Sequence, residues 1–429
     1  MSGIFGVFAT KKYLNIFPPL YSGLFALQHR GQESMGISLL ADGKLSLVNG
    51  KGLISDNIKY DNIRMLEGRV GLGHVRYPFE FDRRELLPMP WLFHPGDGTS
   101  KTLIAMDGKL FNGVELEDVA EEIHSRTDEE LIEYVNQLDG AYAMIFVQEE
   151  RMVVIRDPKG VKPIAVGIHD EFVAASSESC ALDAVGASVK ELKPGEIFIV
   201  DEDGPRSIFA NEKTNTPCIF EFVYTARPDS VIGGVSVYDA RMKMGEILYE
   251  EHPVEADIVV GSPDSGLISA LGFSRASGIP NENAIVRNRY IGRTFILPTE
   301  NMRRKGIQIK LSPIKSLLKD KDIVLVDDSI VRGNTMRRVV EILRESGAKS
   351  IHIRIASPPV IKGEQTTFDI PSEDKLLARG KTVEEIRELI GCDSLGFISL
   401  EGLRRACGNK PYYERCFGGI DTLEEEYVD

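Results

Sequence analysis

Two adjacent carboxylates are the clearest chemical feature of the sequence. Asp327 and Asp328 follow an apolar run, residues 324–326, that predicts a buried strand. Ligands bind outside the carboxyl ends of parallel strands, which is where these two acids would lie. A short loop, residues 329–334, precedes the next helical pattern, and its amides would form an anion cradle suited to a phosphate monoester. Carboxylates that bind hydroxyl groups, next to a loop that binds a phosphate, fit a ribose 5-phosphate.

The elements that would position these residues differ between the two halves of the chain. In the first half, short apolar segments broken by Gly and Pro predict packed β-sheets. In the second half, continuous apolar strands alternate with helical patterns, which predicts a parallel, doubly wound sheet. A polar segment rich in turn residues, 203–217, lies between the halves and is predicted to be a linker. The length of 429 residues fits two to three domains.

Composition and charge argue against several classes of function. Lys and Arg number 51 against 65 Asp and Glu, and the net charge of −14 argues against general nucleic-acid binding. We expect neither a membrane span nor secretion, because the sequence has no long apolar run and no secretory pattern at its start. The few scattered cysteines fit a reducing cytoplasmic setting; they are Cys180, Cys218, Cys392, Cys407 and Cys416. An anionic substrate remains compatible, because a local basic pocket can lie in an acidic protein.

Longer motifs around the two carboxylates resemble those of one enzyme family. A bare pair of acids would equally fit loop solubility or helix capping, but the string VLVDDSIVRGNT (324–335) resembles the phosphoribosyl pyrophosphate (PRPP) loop of type I phosphoribosyltransferases. GSPDSG (261–266) resembles their pyrophosphate-binding loop, and RNRYIGRTFILP (287–298) resembles a loop that closes over PRPP. With PCIFEFVYTARPDS (217–230) and VYDARMKMG (237–245), these motifs are similar to the glutamine PRPP amidotransferase family, which makes 5-phosphoribosylamine in the first step of purine synthesis.

The resemblance implies a fold and a division into domains. An α/β fold is implied, with an αββα N-terminal-nucleophile glutamine amidotransferase sandwich over residues 1–210. A type I phosphoribosyltransferase domain with a doubly wound parallel sheet is implied over residues 211–429. In the first half, the resemblance is carried by LQHRGQESMGI (27–37), GHVRY (73–77) and LDGAYAMIFV (138–147).

The resemblance also implies a PRPP site and a magnesium ion. Mg²⁺ on PRPP would lie near Ser265, Asp327 and Asp328, and the two aspartates would hold the ribose hydroxyls. Arg293 and Arg332 are candidates for the charge of the pyrophosphate. Asn334, at a position where the family has Thr, is expected to cap the following helix. The implied PRPP-binding residues are Pro263, Asp264, Ser265, Gly266, Arg289, Tyr290, Arg293, Asp327, Asp328, Ser329, Ile330, Val331, Arg332, Gly333, Asn334 and Thr335.

The implied glutaminase site departs from the family pattern at three points. The family's mature domain begins with a nucleophilic cysteine, whereas the matching residue here is Ser2, and a hydroxyl is a weaker nucleophile than a thiolate. The oxyanion hole of the family comes from an Asn-Gly pair, and the matching dipeptide is Asp107-Gly108. An ionised Asp offers no hydrogen-bond donor to an oxyanion. The Ser/Thr-rich glutamine loop is replaced by PFEFDRRELLPMPW (78–91).

Two other residues of the glutaminase site match the family. Arg76 matches the clamp on the α-carboxylate of glutamine, and Asp128 matches the group that binds its α-amine. The three departures nevertheless lead to the hypothesis that the glutaminase half is inactive or nearly so. Three functions stay open: amidotransfer from free or partner-supplied ammonia, PRPP or nucleotide sensing by a non-catalytic relative, and glutamine-dependent catalysis with Ser2 as nucleophile.

Some members of the family carry a four-cysteine iron–sulfur cluster. Cys218 and Cys416 match two of its ligand positions, whereas Tyr413 stands at a third, and the segment 361–372 has no cysteine. Two thiolates do not hold a [4Fe–4S] cluster, so none is expected. The resemblance further implies a homodimer or homotetramer with purine nucleotides as feedback inhibitors.

Overall fold

The computed structural model describes residues 2–11, 14–58, 66–77, 90–94, 101–111, 113–211, 213–288 and 311–423. Within these residues no helix is long and apolar enough to cross a membrane. The described chain forms two antiparallel sheets in the N-terminal half, and one parallel sheet with two small two-stranded antiparallel sheets in the C-terminal half.

The N-terminal half is built mainly from strands. They are β1 (Ser2–Ala9), β2 (Ser34–Ala41), β3 (Lys44–Lys51), β4 (Val70–Arg76), β5 (Trp91–Phe93), β6 (Thr102–Leu110), β7 (Gly140–Val147), β8 (Met152–Arg156), β9 (Ala165–Ile168), β10 (Phe172–Ser176), β11 (Ser188–Glu191), β12 (Glu196–Asp201) and β13 (Gly204–Phe209). The first sheet has the order β11-β9-β10-β1-β4-β2-β3, and the second has the order β13-β12-β8-β7-β6-β5.

The helices of this half cover the outer faces of the two sheets. They are α1 (Phe17–Ala26), α2 (Ile54–Asn57), α3 (Leu116–Ser125), α4 (Asp128–Gln137) and α5 (Ser179–Asp183). Along β1, Ile4 packs against apolar residues of the second sheet, whereas Phe5 packs on the outer side with Leu20 of α1. This alternation follows from the two-residue period of a strand. Because α3 and α4 pack on the far side of the second sheet, the implied αββα sandwich is confirmed.

The C-terminal half has a parallel sheet covered on both faces. The strands of this half are β14 (Val231–Ile232), β15 (Val235–Ser236), β16 (Ile258–Gly261), β17 (Ile285–Arg287), β18 (Leu311–Pro313), β19 (Asp322–Asp327), β20 (Ser350–Ile355) and β21 (Ser394–Phe397). Its helices are α6 (Val237–Glu251), α7 (Gly266–Ser277), α8 (Lys315–Leu318), α9 (Asn334–Glu345), α10 (Val383–Ile390) and α11 (Leu400–Ala406). The four parallel strands have the order β16-β19-β20-β21.

The two faces of this sheet belong to different apolar cores. Val324 packs with Phe273 of α7 on one face, and Leu325 packs with Val339 of α9 on the other. Strands buried on both faces read as continuous apolar runs, which is the pattern that the sequence shows. The predicted doubly wound parallel sheet is therefore confirmed.

One sequence expectation is corrected by the sheet register. The polar segment 203–217 was expected to be a linker throughout, but its first part forms β13, which pairs with β12 as a hairpin at the edge of the second sheet. Polar and turn residues fit an exposed edge strand as well as a loop, which is why composition alone misplaced this segment.

Candidate active site

The two carboxylates lie where β19 ends. Asp327 is the last residue of the strand, and Asp328, which is buried, begins the loop that follows. The hydroxyls of Ser265 and Ser329 both donate to the carboxylate of Asp328, the second at 2.6 Å. The backbone nitrogen of Asp328 donates to Oδ1 of Asp327 at 2.9 Å. The structure therefore brings together the residues for which a magnesium contact is predicted.

Burial determines the electrostatics of this pair. Burial, followed by the charge of Asp328, raises the pKa of Asp327 well above its usual range. Burial also raises the pKa of Asp328, although hydrogen bonds from Ser265 and Ser329 and the charge of Arg241 oppose the shift. Two neighbouring carboxylates that repel each other in a buried setting favour a bound divalent cation, and oxygen donors are those that Mg²⁺ prefers.

The loop after the carboxylates leads directly into α9. Gly333 has φ +76° and precedes the first helical residue, Asn334. A Cβ at Gly333 would lie 2.5 Å from Cδ2 of Leu377. Among the described residues no side chain caps the first turn of this helix, so Asn334 does not have the expected capping role. Backbone amides without a side-chain cap at a helix N-terminus are suited to binding a phosphate.

The second predicted loop packs against the same strand end. The backbone nitrogen of Ser262 donates to the carbonyl of Val326 at 2.8 Å. A Cβ at Gly266 would lie 2.5 Å from that carbonyl oxygen, so only glycine fits this close approach. Asp264 forms an ion pair with Arg287. Arg289, Tyr290 and Arg293, which are predicted to contact PRPP, lie outside the described residues.

Arg241 is a buried cation near the carboxylates that is not among the predicted site residues. Its Nε donates to the carbonyl of Phe222 at 2.8 Å, and its Nη2 donates to the carbonyl of Ala226 at 2.9 Å. Its charge favours the ionised form of Asp328. The sequence signal for this residue was a charged side chain on the apolar face of a predicted helix. An arginine buried there, as Arg241 is in α6, needs polar partners.

The residues of the implied glutaminase site also come together, apart from one. Ser2 lies opposite Arg76 in the β1–β4 pairing, and its backbone nitrogen donates to Oδ1 of Asp107 at 2.9 Å. Gly108 follows with φ +122°, and a Cβ there would lie 2.0 Å from the carbonyl oxygen of Ala141. The N-terminal strand and β6 thus place Ser2, Arg76, Asp107 and Gly108 at one end of the sandwich.

Asp107 is a fully buried carboxylate between two cations. Its Oδ2 lies 3.0 Å from Nη2 of Arg30 and 3.0 Å from Nζ of Lys162. Burial alone would raise the pKa of Asp107, but Lys162 and Arg30 together hold it below its usual value. The side chain is therefore an anion near neutral pH, and it has no proton to donate.

His74 is a second unexpected feature of this end of the sandwich. It is buried beside the strand that carries Ser2, opposite Ile4, and its Nε2 has no hydrogen-bond partner among the described residues. Burial, followed by the charge of Arg76, lowers the pKa of His74 to about 3. The imidazole is therefore neutral, and its weak basicity makes it a poor proton acceptor for catalysis.

The structure does not bring Asp128 to the other residues of this site. Asp128 begins α4, and its carboxylate accepts hydrogen bonds from Arg151 at 3.1 Å and from Arg206 at 2.9 Å. These contacts place Asp128 at the edge strand β13. The two arginines already pair with the carboxylate to which a substrate amine would bind. Its predicted role in binding glutamine stays a prediction.

Cys218, Cys416 and Tyr413, which stand at implied iron–sulfur positions, are buried, and the side chains of two of them contact the segment 361–372. Cys218 Sγ lies 3.6 Å from the hydroxyl of Thr367, and Tyr413 donates its hydroxyl to Glu364. Burial raises the pKa of Cys218 to about 12 and that of Cys416 well above its usual value. Both thiols are therefore protonated near neutral pH in the metal-free protein.

Comparison with known proteins agrees with this geometry. Residues 241–364 match the phosphoribosyl transferase domain family, and residues 94–184 match a glutamine amidotransferase domain family. The chain is 40% identical to an amidophosphoribosyltransferase of Methanocaldococcus jannaschii over 100% of this chain and 98% of that protein. It is 37% identical to the Bacillus subtilis amidophosphoribosyltransferase over 95% of this chain and 90% of that protein.

Solved structures show the same likeness over both halves. The structure of the glutamine PRPP amidotransferase from B. subtilis complexed with ADP and GMP superimposes with a TM-score of 0.85 at 36% identity, covering 98% of this chain and 95% of that chain. A structure described as the allosteric regulatory enzyme of purine biosynthesis superimposes with a TM-score of 0.87 at 36% identity, covering 98% and 94% of the two chains.

Proposed function

The chain belongs to the amidophosphoribosyltransferase family, which catalyses the first step of purine synthesis, and we propose that it takes its ammonia from outside its own N-terminal half. PRPP and ammonia would give 5-phosphoribosylamine and pyrophosphate. The ammonia would be free in solution or supplied by a partner protein. One observation carries this proposal: Asp107, whose position in the motif matches the family's oxyanion-hole asparagine, is a buried carboxylate paired with Arg30 and Lys162.

Asp107 opposes glutamine hydrolysis for an electrostatic reason. Attack on the glutamine amide creates a negative oxygen that needs hydrogen-bond donors. Loss of one donor costs about 10²–10³-fold in rate, and a neighbouring carboxylate adds repulsion. Ser2 contributes a hydroxyl in place of a thiolate, and a hydroxyl is the weaker nucleophile near neutral pH. Each of these features lowers the rate of hydrolysis.

The transferase half retains what the other reaction needs. Asp327 and Asp328 would hold the ribose hydroxyls, and the amides at the start of α9 would hold the 5-phosphate. The bond between C1 of the ribose and the pyrophosphate oxygen breaks, and positive charge develops on C1. The lone pair of neutral ammonia forms the new C–N bond, after which the nitrogen loses a proton to solvent. The protein contributes positioning and electrostatic stabilisation.

The carboxylate pair fits the implied Mg²⁺. Ser265, Asp327 and Asp328 would hold it, and its charge would stabilise the departing pyrophosphate. The described residues contain no cluster of three or more metal-ligating side chains. Mg²⁺ at substrate sites is commonly bound through one or two carboxylates together with phosphate oxygens, so substrate oxygens would complete the coordination.

Purine nucleotides are the proposed regulators. The B. subtilis relative has been solved as a complex with ADP and GMP, and the present chain matches it over both halves. We therefore propose feedback inhibition by purine nucleotides in a homodimer or homotetramer.

The proposal is tested by measuring 5-phosphoribosylamine and pyrophosphate formation from PRPP and Mg²⁺. One assay contains glutamine near neutral pH, and the other contains ammonium chloride near pH 9, where a larger share of ammonia is neutral. We expect turnover with ammonia, none above background with glutamine, and unchanged ammonia-dependent turnover in Ser2→Ala. Glutamine-dependent turnover that Ser2→Ala abolishes would overturn the proposal. PRPP binding without turnover from either source would identify a sensor instead.

A further inference from the structure

Asp107 connects the two halves of the chain through shared ion pairs. Its carboxylate and that of Glu221 both pair with Arg30 and Lys162, and we refer to these four residues as the interdomain charge cluster. We propose that Asp107 is a positioning residue for the transferase reaction, because the cluster helps to fix the segment 221–230 beside the PRPP site. The N-terminal half would then support the transferase even without glutaminase activity.

The side chains of the interdomain charge cluster are in close contact and are buried. Arg30 Nη2 lies 3.0 Å from Asp107 Oδ2 and 2.9 Å from Glu221 Oε1. Lys162 Nζ lies 3.0 Å from Asp107 Oδ2 and 3.8 Å from Glu221 Oε1. None of the four side chains is more than 1% exposed. Removing one member of a buried ion pair leaves an uncompensated charge in a low-dielectric setting, so these contacts depend on one another.

Neighbouring contacts tie the same segment to the N-terminal half. Glu178 also accepts a hydrogen bond from Arg30, at 2.7 Å. Its other oxygen accepts from the backbone nitrogen of Arg227 at 2.9 Å and from the hydroxyl of Ser230 at 2.7 Å. Lys162 donates to the carbonyl of Thr367 at 3.2 Å. The segment 221–230 is therefore bound to the sandwich mainly through Arg30 and Glu178.

The other side of this segment faces the PRPP site through Arg241. The carbonyls of Phe222 and Ala226 accept hydrogen bonds from Arg241, and the backbone carbonyl of Arg241 accepts one from the hydroxyl of Ser269 at 3.1 Å, in the helix α7 that begins at Gly266. A shift of the segment would move these two carbonyls and, with them, the guanidinium group. The start of α7, where Ser265 donates to Asp328, would shift in turn, although no residue of the cluster belongs to the predicted PRPP-binding residues.

The Asp107→Asn variant removes the charge of this side chain and keeps its shape. An amide oxygen could still accept the hydrogen bond from the Ser2 nitrogen. The amide nitrogen in place of Oδ2 would face Arg30 and Lys162, which are themselves donors. Glu196→Gln is a matched control, because Glu196 is a fully buried carboxylate that pairs with Lys190 and Ser207 inside the N-terminal half.

The experiment measures the Kd of Mg²⁺–PRPP by calorimetry and the ammonia-dependent kcat and KM. We expect Asp107→Asn to raise the Kd and KM for PRPP by about 2- to 30-fold, the range found for mutations that couple distant sites. Glu221→Gln should have the same effect from the other side of the cluster. The double variant should exceed the larger single effect by little, because both changes act on the same two cations. Glu196→Gln should leave PRPP binding unchanged.

Several outcomes would overturn the inference. Unchanged PRPP binding in Asp107→Asn, with only a lower Tm, would assign the cluster a purely structural role. Additive effects in the double variant would show that Asp107 and Glu221 act separately. If Asp107→Asn does not fold, unchanged PRPP binding in Glu221→Gln decides against the inference. The Kd is measured without turnover, so it tests the cluster even if ammonia-dependent transfer, on which the kinetic readout rests, is absent.

Discussion

Ser265 donates its hydroxyl hydrogen to the carboxylate of Asp328, a residue 63 positions later in the chain. Ser265 belongs to the turn after β16, and Asp328 belongs to the turn after β19, which pairs with β16 in parallel register. The contact shows that two βα turns meet at the carboxyl edge of the sheet. Such an edge is where ligands of parallel sheets bind, so the sheet topology by itself assembles the substrate site.

Asp328→Asn should abolish most transferase activity. The change removes a charge that the ribose and Mg²⁺ are proposed to need, so kcat/KM with ammonia should fall by at least about 10²-fold. Asp322→Asn is a suitable control, because Asp322 begins the same strand at the opposite edge of the sheet. The measurement is pyrophosphate release from PRPP. Equal losses in the two variants would mean that the carboxyl edge of β19 is not the site.

Stabilisation by Mg²⁺ should increase as pH rises. Burial raises the pKa of both Asp327 and Asp328, so the unliganded folded protein holds protons there that the unfolded chain has released. The pair therefore makes unliganded stability fall as pH rises from the unfolded values, about 4, toward the raised folded ones. Mg²⁺ binds the ionised forms and releases these protons, so its effect on Tm should be larger at about pH 8 than at about pH 5.

The same titration provides the control for this pH effect. Asp328→Asn removes one of the two titrating groups, so the increase in the Mg²⁺-dependent Tm shift with pH should shrink. An Mg²⁺ effect that does not depend on pH, or that grows in acid, would contradict the assignment of the carboxylate pair as the cation site.

The features that the sequence predicts best are local. An apolar run followed by Asp327, Asp328 and a glycine-containing loop determines both the strand end and the phosphate cradle, because all the parts lie within about a dozen residues. The fold classes of both halves were predictable for the same reason, since strand and helix periodicities are local and the family motifs are contiguous. The hairpin strand β13 was missed, because polar turn residues are as compatible with an edge strand as with a linker.

Long-range ion pairs were not predictable. Arg30 and Glu221 are separated by 191 residues, and neither residue stands in a pattern that points to the other. The position of Asp107 was identified from its motif, but its burial between two cations depends on how two sheets and a second half pack together. Asp128 was likewise identified from its motif, whereas no local pattern indicated its ion pairs with Arg151 and Arg206.

Gly266→Ala should weaken PRPP binding. The added Cβ would lie 2.5 Å from the carbonyl oxygen of Val326 and 3.0 Å from Cα of Asp327. Backbone atoms must shift to relieve such contacts, at a cost of about 1–3 kcal/mol in the free energy of unfolding. The shift occurs next to the carboxylates, so KM for PRPP should rise as Tm falls.

Gly278→Ala tests whether this effect on PRPP is specific. Gly278 ends the same helix with φ +74° and has open space around it, so alanine there adds backbone strain of about 1–2 kcal/mol without touching the site. It should lower Tm and leave KM for PRPP unchanged. A similar rise in KM in both variants would attribute the effect to general destabilisation.

Tyr413→Phe should destabilise the buried region around Cys218 without changing the metal content. The hydroxyl of Tyr413 donates to Glu364, whose other oxygen accepts from the backbone nitrogen of Thr367 at 3.0 Å. Loss of this donor in a buried place should lower the free energy of unfolding by about 1–3 kcal/mol. Tyr249→Phe, in which the ring contact with Phe273 is kept, should change it less. Because only two thiols, those of Cys218 and Cys416, match the implied ligand positions, iron and sulfide analysis after anaerobic purification should find no cluster in either variant or in the parent chain. Stoichiometric iron that is lost in Tyr413→Phe would show instead that this residue belongs to a metal site.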